Sequence, residues 1–173
     1  GATACKNCTD GFYCTRGASA ALPCPAGTMK RLGVTMTSAD DCLACPEGAF
    51  CSTGAAAPTA CSPGTVQPAS QQNTCLKCEA GTYQDETGES SCKVCRDGHA
   101  CKAGAVVAVE CVAGTKVSAS KDLCEPCPAG EYQAASGMSA CDPCVEGWIT
   151  NADQNTGDIC AAGLYESDHT VCS

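Results

Sequence analysis

Cysteine is the residue type in this sequence whose number and spacing could support specific chemistry, since it accounts for 20 of the 173 residues. Closely spaced cysteines form structural disulfides, bind zinc as thiolates, or act as a redox pair. Twelve of the 20 lie in pairs separated by two residues. These C-x2-C pairs are Cys5/Cys8, Cys42/Cys45, Cys75/Cys78, Cys92/Cys95, Cys124/Cys127 and Cys141/Cys144.

Repeated C-x2-C pairs are also typical of zinc ribbons, so a metal site has to be weighed against disulfides. In this chain further single cysteines recur at fixed offsets between the pairs, and only His99 and His169 could add imidazole ligands. No βαβ pattern surrounds any pair, as a thioredoxin-like redox site would require. We therefore predict disulfides, with no metal and no cofactor.

Few large apolar side chains are available for a core, because the chain has one Trp, four Tyr and two Phe. Ordering the backbone costs about 1–2 kcal/mol per residue, which so little apolar burial cannot offset. Each disulfide typically contributes about 2–4 kcal/mol. Covalent cross-links must therefore stabilise the fold, which requires an oxidising compartment. We predict a secreted, extracellular or cell-surface protein.

The charge balance excludes two classes of partner. With 10 Lys and Arg against 19 Asp and Glu, the formal net charge is −9. Nucleic acids and anionic membrane surfaces both attract basic patches, so neither is an expected partner.

The longest apolar stretch, residues 103–109, is far shorter than the roughly 18 residues that a membrane span requires. We therefore predict no membrane insertion in this segment.

A phrase of four residues, C-x-x-G, recurs along the chain and defines an internal repeat. The second Cys of every C-x2-C pair opens it, as in Cys8-Thr9-Asp10-Gly11. Only two residues separate neighbouring modules, so we expect contacts between neighbours only, as in solenoids. Cutting the chain inside each pair gives long modules over residues 8–42, 45–75 and 95–124, short modules over residues 78–92 and 127–141, the end of a preceding module over residues 1–7, and an irregular terminal repeat over residues 144–173.

Each repeated residue type has a physical role in this scheme. Gly, three residues after Cys, suits a tight turn or a close backbone approach, and segments such as Gly81–Gln84 and Gly130–Gln133 predict short strands. All seven aromatic residues follow a phrase-opening Cys by four or five positions, so we expect each to cover the disulfide of its own module; an exposed recognition stripe is the alternative. The predicted fold is a small disulfide-rich series of β-hairpin and loop repeats, an elongated tandem array with little helix and no large hydrophobic core.

The disulfide pairing is only partly determined by the sequence. The short modules contain two cysteines each, so these can pair only with each other within the module. The long modules contain a similar Cys-to-Cys loop in their C-terminal half, which favours the same pairing there. A first-to-third and second-to-fourth scheme remains open for the long modules. The favoured pairs are Cys78–Cys92, Cys127–Cys141, Cys24–Cys42, Cys61–Cys75, Cys111–Cys124, Cys8–Cys14, Cys45–Cys51 and Cys95–Cys101.

Four cysteines are left after this pairing: Cys5, Cys144, Cys160 and Cys172. The last three are expected to be disulfide-bonded within the terminal repeat, which needs one further cysteine. Our hypothesis is that Cys5 of one copy supplies it to the preceding copy, a head-to-tail contact that builds a polymer. The alternatives are that the segment is cut from a longer array and lacks its upstream residues, or that Cys5 pairs within its own chain.

The phrases GFYCTRGASAALPCPAGT, GAFCSTGAAAPTACSPGT and CPAGEYQAASGMSACDPC resemble the ephrin-receptor-like cysteine-rich repeat, which is widespread in surface proteins of ciliates, algae and other protists. The resemblance extends from Cys5 to about Cys144 and is similar in style to tumour-necrosis-factor-receptor and EGF-like modules. It implies an extracellular disulfide-rich architecture. It carries little information about function, because a repeated scaffold hosts many functions.

No sequence motif indicates an enzyme. The two histidines are 70 residues apart, and His99 occupies the aromatic position of its phrase, which favours a packing role. We predict a structural protein of a filament, surface coat or flagellar-hair-like fibre; the alternative is the ligand-binding stalk of a receptor or adhesion protein, with Trp148 as its best contact residue. Asn7-Cys8-Thr9 is a candidate site for an N-linked glycan.

Overall fold

The computed structural model of the chain describes residues 8–143 and, beyond them, the backbone of the strands Trp148–Thr150, Gly157–Ile159 and Val171–Cys172. The described residues form short antiparallel hairpins, and the one helical element among them is a 3-10 helix at Ala39–Asp41. The predicted class of disulfide-rich hairpin repeats with little helix is therefore confirmed. The elongation of the array stays a prediction.

The chain divides into two compact units. The first comprises Gly1–Lys77 and Gln84–Cys92, and the second comprises Cys78–Tyr83 and Lys93–Ser173. Described hairpins of the first unit are β1 (Phe12–Tyr13) with β2 (Leu22–Pro23), β3 (Thr28–Met29) with β4 (Leu43–Ala44), β5 (Ala49–Phe50) with β6 (Thr59–Ala60), and β7 (Thr65–Val66) with β8 (Leu76–Lys77).

The second unit repeats the same hairpin and adds a three-stranded sheet. Its elements are β9 (Thr82–Tyr83) with β10 (Lys93–Val94), β11 (His99–Ala100) with β12 (Val109–Glu110), β13 (Thr115–Val117) with β14 (Cys124–Pro126), β15 (Glu131–Tyr132) with β16 (Asp142–Pro143), and β17 (Trp148–Thr150) between β18 (Gly157–Ile159) and β19 (Val171–Cys172). The two units are larger than the modules predicted from the sequence, whose boundaries stay predictions.

The first strand of each hairpin follows the glycine of a C-x-x-G phrase, as β9 and β15 do at the positions predicted from the sequence. The return strand often contains the two residues inside a C-x2-C pair, as in β4 between Cys42 and Cys45. The same holds for β8, β10, β14 and β16. The two residues that separate neighbouring modules are therefore hydrogen-bonded strand rather than linker.

Among the described residues, buried apolar side chains form small clusters around cysteine sulfur atoms. The most deeply buried large side chains are cysteines, together with Gln84. One cluster contains Cys45, Ala49 and Cys51, and another contains Ala100, Cys111 and Val117. Because these clusters are small, the disulfides form the interior of each hairpin in place of a continuous core.

Candidate functional site

The structure brings together the cysteine pairs that the loop pattern favoured. Their Cα–Cα distances run from 5.5 to 6.1 Å, within the usual range for a disulfide. Cys78 and Cys92 are also disulfide-bonded. The observed pairs are Cys8–Cys14, Cys24–Cys42, Cys45–Cys51, Cys61–Cys75, Cys95–Cys101, Cys111–Cys124 and Cys127–Cys141.

The extended spacer inside each C-x2-C pair explains why its two cysteines bond to different partners. Side chains alternate between the two faces of a strand, so residues three apart point to opposite faces. Cys42 and Cys45 flank β4, and they bond to Cys24 and Cys51 respectively. The C-x2-C pair thus joins two successive disulfides through one short strand.

Tyr83 shows that the aromatic position has a contact that the prediction did not include. The expectation was that each aromatic side chain covers the disulfide of its own module. Tyr83 packs against the Cys95–Cys101 disulfide and Ala105 of the following module, and it also forms an isolated parallel bridge with Ala105. Met29 occupies the same position of its phrase and packs in the same way against the cluster of Cys45 and Cys51. The side chain at this position therefore joins successive modules.

The phrase glycines allow a close backbone approach between modules. Gly48 has φ +73°, and a Cβ atom placed on it would lie 1.9 Å from the carbonyl oxygen of Gly88. A Cβ on Gly98, with φ +69°, would lie 1.8 Å from the carbonyl oxygen of Gly137. Both contacts reach the next module, about 40 residues on. Any side chain at these positions would separate the two modules.

The carbonyl groups of the buried phrase-opening cysteines accept hydrogen bonds from the next module. The backbone N–H of Gly54 donates to Cys24 at 2.8 Å, and that of Gly88 donates to Cys61 at 2.9 Å. In the second unit, Gly104 donates to Cys78 and Gly137 donates to Cys111, both at 2.7 Å. A buried carbonyl without a partner costs about 1–3 kcal/mol, so these bonds strongly disfavour separation of neighbouring modules.

Three glutamines form buried clamps that the sequence reasoning missed. Gln67, Gln84 and Gln133 are 3%, 1% and 3% exposed. Each Nε2 donates to the carbonyl oxygen seven residues on, at 2.6, 2.8 and 2.8 Å, and each Oε1 accepts from the backbone N–H two residues on. The signal was present, since Gln recurs six residues after a phrase-opening Cys in all three modules.

Two loops without this glutamine use a carboxylate instead. Asp41 accepts from the backbone N–H groups of Thr37 at 2.7 Å and Ser38 at 3.0 Å. Asp122 accepts from the hydroxyls of Ser118 at 2.7 Å and Ser120 at 2.6 Å. The hydrogen bond from the Thr37 backbone, followed by that from Ser38, lowers the pKa of Asp41, and the hydroxyls of Ser118 and then Ser120 lower the pKa of Asp122.

Of the remaining predicted residues, His99 lies within the part of the chain that the structure describes. His99 lies in β11, with its Nδ1 3.0 Å from the carbonyl oxygen of Asp97. The Asp97 carboxylate in turn accepts a 2.7 Å hydrogen bond from the ammonium group of Lys121, which lowers its pKa. Cys5, Asn7, Cys144, Cys160 and His169 lie outside the described residues, as do the side chains of Trp148 and Cys172.

The described cysteines are unavailable as thiolate ligands, because all 16 between residues 8 and 143 are disulfide-bonded. In that part of the chain no group of three or more His, Cys, Asp or Glu side chains is arranged to hold a metal ion. A search of the same residues for a helix long and apolar enough to span a membrane found none.

Together these features define a class of protein: tandem disulfide-bonded hairpin modules that interlock through glycine contacts and cysteine carbonyls. The sequence model for a family described as "Tyrosine-protein kinase ephrin type A/B receptor-like" matches residues 64–111 and 114–157. The chain belongs to this ephrin-receptor-like family. A comparison with curated proteins found no match. Disulfide-rich receptor-like repeats of this kind are typically non-enzymatic, and they indicate an extracellular or surface location.

Proposed function

We propose that the chain is a structural protein outside the cell, a stiff disulfide-bonded component of a filament, surface coat or flagellar-hair-like fibre. The observation that carries this proposal is the set of backbone hydrogen bonds from turn glycines to buried cysteine carbonyls of the preceding module, such as Gly54 to Cys24. In contrast to side-chain contacts, backbone contacts at glycine leave little room for adjustment. Such joints suit a load-bearing function.

Covalent and electrostatic features support the same proposal. Disulfides restrict the unfolded chain and so stabilise each folded module. The net charge of −9 keeps neighbouring surfaces hydrated and opposes unspecific aggregation. Catalysis would require convergent polar groups in a water-excluding pocket, and His99, the histidine in the described part, contacts only a backbone carbonyl through its Nδ1. We therefore extend the proposal to a protein without enzymatic activity.

Self-association is part of the proposal. Cys5 of one copy would complete the terminal repeat of the preceding copy, which contains Cys144, Cys160 and Cys172. A head-to-tail contact of this kind does not close on itself and so extends into a filament. An N-linked glycan at Asn7 would lie beside that junction in sequence.

Non-reducing electrophoresis and negative-stain electron microscopy of the oxidised full chain test this proposal. The wild-type chain should form covalent oligomers and filaments. A Cys5→Ser variant should remain monomeric, whereas the double variant Cys8→Ser/Cys14→Ser, which removes a loop disulfide and keeps Cys5, should still polymerise. A wild-type chain that stays a monomer without free thiols contradicts head-to-tail assembly.

A ligand-binding receptor stalk is the second candidate, and one surface favours it. Val106, Val107, Val109 and Val112 are 49–63% exposed and close in sequence. Exposed apolar patches frequently mark interaction sites. Sedimentation equilibrium of wild type and Val107→Asp separates the two candidates. Self-association that the substitution abolishes assigns the patch to contacts between copies, whereas a monomeric wild type favours the stalk.

A further inference from the structure

The loop between Cys24 and Cys42 carries the only pair of adjacent basic residues in the chain, Lys30-Arg31. This disulfide spans 18 positions, compared with 13 or 14 for its counterparts in other modules. The loop also has Lys30 at the position where other modules have the buried glutamine. It is therefore longer than its counterparts and lacks the clamp that closes three of them.

The segment after Lys30 is open to solvent. Residues 31–35 are all exposed, and Leu32 is 82% exposed, the highest value among the exposed large hydrophobic residues. The backbone groups of residues 32–35 form no hydrogen bond with any other described residue. A Cβ placed on Gly33 would have no atom within 4 Å. Segments with these properties open locally at little free-energy cost and are the preferred sites of proteolysis.

From these observations we infer that the Arg31–Leu32 bond is a processing site for an endoprotease of the dibasic-directed serine class. Water adds across the peptide bond, which leaves a carboxylate on Arg31 and an ammonium group on Leu32; the protease supplies the nucleophile and acidic subsites for the two basic side chains. Because the Cys24–Cys42 disulfide encloses the cut, both products remain joined in one covalent molecule.

The loop is anchored on both sides of this bond, so the cut does not require unfolding of the module. The backbone N–H of Lys30 donates to the carbonyl oxygen of Ala55 at 3.0 Å, and buried Met36 accepts from the N–H of Cys14 through its carbonyl, also at 3.0 Å. A protease that cuts after Arg31 also binds the residues on the N-terminal side of the cut, and these include β3, a strand of only two residues. Met29 in this strand packs against Cys45 and Cys51, so the strand must open locally before the protease can bind.

Asp10 modulates access to the site, because its carboxylate forms an ion pair with the ammonium group of Lys30. The side chains of Asp10 and Lys30 are 68% and 26% exposed, so an acidic subsite of the protease has to draw Lys30 outward as it displaces Asp10. An Asp10→Asn variant should therefore be cut a few-fold faster than wild type.

Digestion of the oxidised full chain with a kexin-class protease tests the inference. We expect one species without reductant, heavier by one water, and two fragments with reductant, one of which begins Leu32-Gly33-Val34. Arg31→Ala and Lys30→Ala should each slow the cut at least about tenfold. The control is Arg16→Ala, which removes an isolated basic residue from another exposed run, residues 15–20, and should leave the rate unchanged.

Three outcomes would overturn the inference: a chain that remains intact, a first cut after Arg16 or another single basic residue, or an Arg31→Ala variant cut as fast as wild type. A secreted sample from a cell that contains such a protease should also be nicked after Arg31 when mapped by mass spectrometry. Uncut secretion from that cell contradicts the inference as well. Neither of these two tests depends on polymerisation. A failure of the processing inference can therefore be told apart from a failure of the proposed structural function.

Discussion

The Nε2 atom of Gln67 donates a 2.6 Å hydrogen bond to the carbonyl oxygen of Thr74, the residue just before the disulfide-forming Cys75. One uncharged side chain thereby closes the loop that the disulfide also closes. Its Oε1 accepts from the N–H of Ala69, so both ends of the amide have partners. The side chain that makes these bonds is 3% exposed.

Replacing Gln67 with Ala should destabilise the module by about 1–3 kcal/mol, because it leaves the Thr74 carbonyl and the Ala69 N–H without partners. Denaturant unfolding under oxidising conditions measures this change. Gln72→Ala is the matched control: its side-chain amide lies in the same loop, but its bond to the Ser70 carbonyl is exposed. We expect a change within about 0.5 kcal/mol for the control. Equal effects of the two substitutions would refute the clamp.

A substitution of Gly48 by Ala should prevent the close approach to Gly88. The new Cβ would lie 1.9 Å from a backbone oxygen, which cannot move aside as a flexible side chain could. Thermal unfolding should show a loss of more than about 3 kcal/mol, in the range of the most disruptive substitutions. Gly17→Ala controls for backbone strain, because Gly17 has φ +77° with nothing within 4 Å. Its expected cost is about 1–2 kcal/mol. Similar losses for both variants would show that strain alone accounts for the effect.

The Asp41 carboxylate should make its loop sensitive to acid. Its pKa is lower in the folded chain than its ordinary value of 3.8, so its stabilising effect is fully present above that value and is lost as pH falls through the folded pKa. The amides of Thr37 and Ser38 should lose protection from hydrogen exchange in that acidic window. Asp41→Asn, which keeps an acceptor oxygen and does not titrate, should show protection that is independent of pH over the same range. An unchanged acid response in this variant would assign the effect to another group.

Removal of disulfides should destabilise the chain according to the loop that each one closes. The double variant Cys61→Ala/Cys75→Ala opens a 14-position loop and should cost about 3 kcal/mol. Cys8→Ala/Cys14→Ala opens a 6-position loop and should cost about 0.5–1 kcal/mol less. Differential scanning calorimetry of both variants measures the difference. A chelator added to the wild type should leave the transition unchanged, and a shift of the transition would indicate a bound metal.

The cysteine spacing predicted the hairpin repeats and favoured the disulfide pairs that the structure shows, but it left a first-to-third and second-to-fourth scheme open for the long modules. A two-cysteine loop has one pairing, and Cys24–Cys42 follows by analogy with Cys127–Cys141. The position of Tyr83 could not be predicted in this way, because spacing along one module contains no information about how the next module packs on it. Sequence distance also could not show that the Gly48 contact is with Gly88, since that contact arises only when two modules interlock.

The buried glutamines were missed for a different reason. A polar residue such as Gln84 is expected at the surface, and its burial depends on partners that are backbone groups. Backbone groups leave no trace in residue types, so only the recurrence of Gln at one position indicated its role. The loops that contain Asp41 and Asp122 differ from each other in length and in residue types, so no single residue position recurs in them to indicate the role of the carboxylate.

The return strand inside the C-x2-C pair limits how such a chain can vary during evolution. A residue inserted between Cys42 and Cys45 would turn one of the two disulfides toward the wrong face of β4, whereas residues added between Cys24 and Cys42 simply extend a surface loop. We therefore expect insertions to be tolerated in the loops and to be disruptive at the joints. A gene of this kind can lengthen its product by duplicating whole modules without a change in the geometry of any joint.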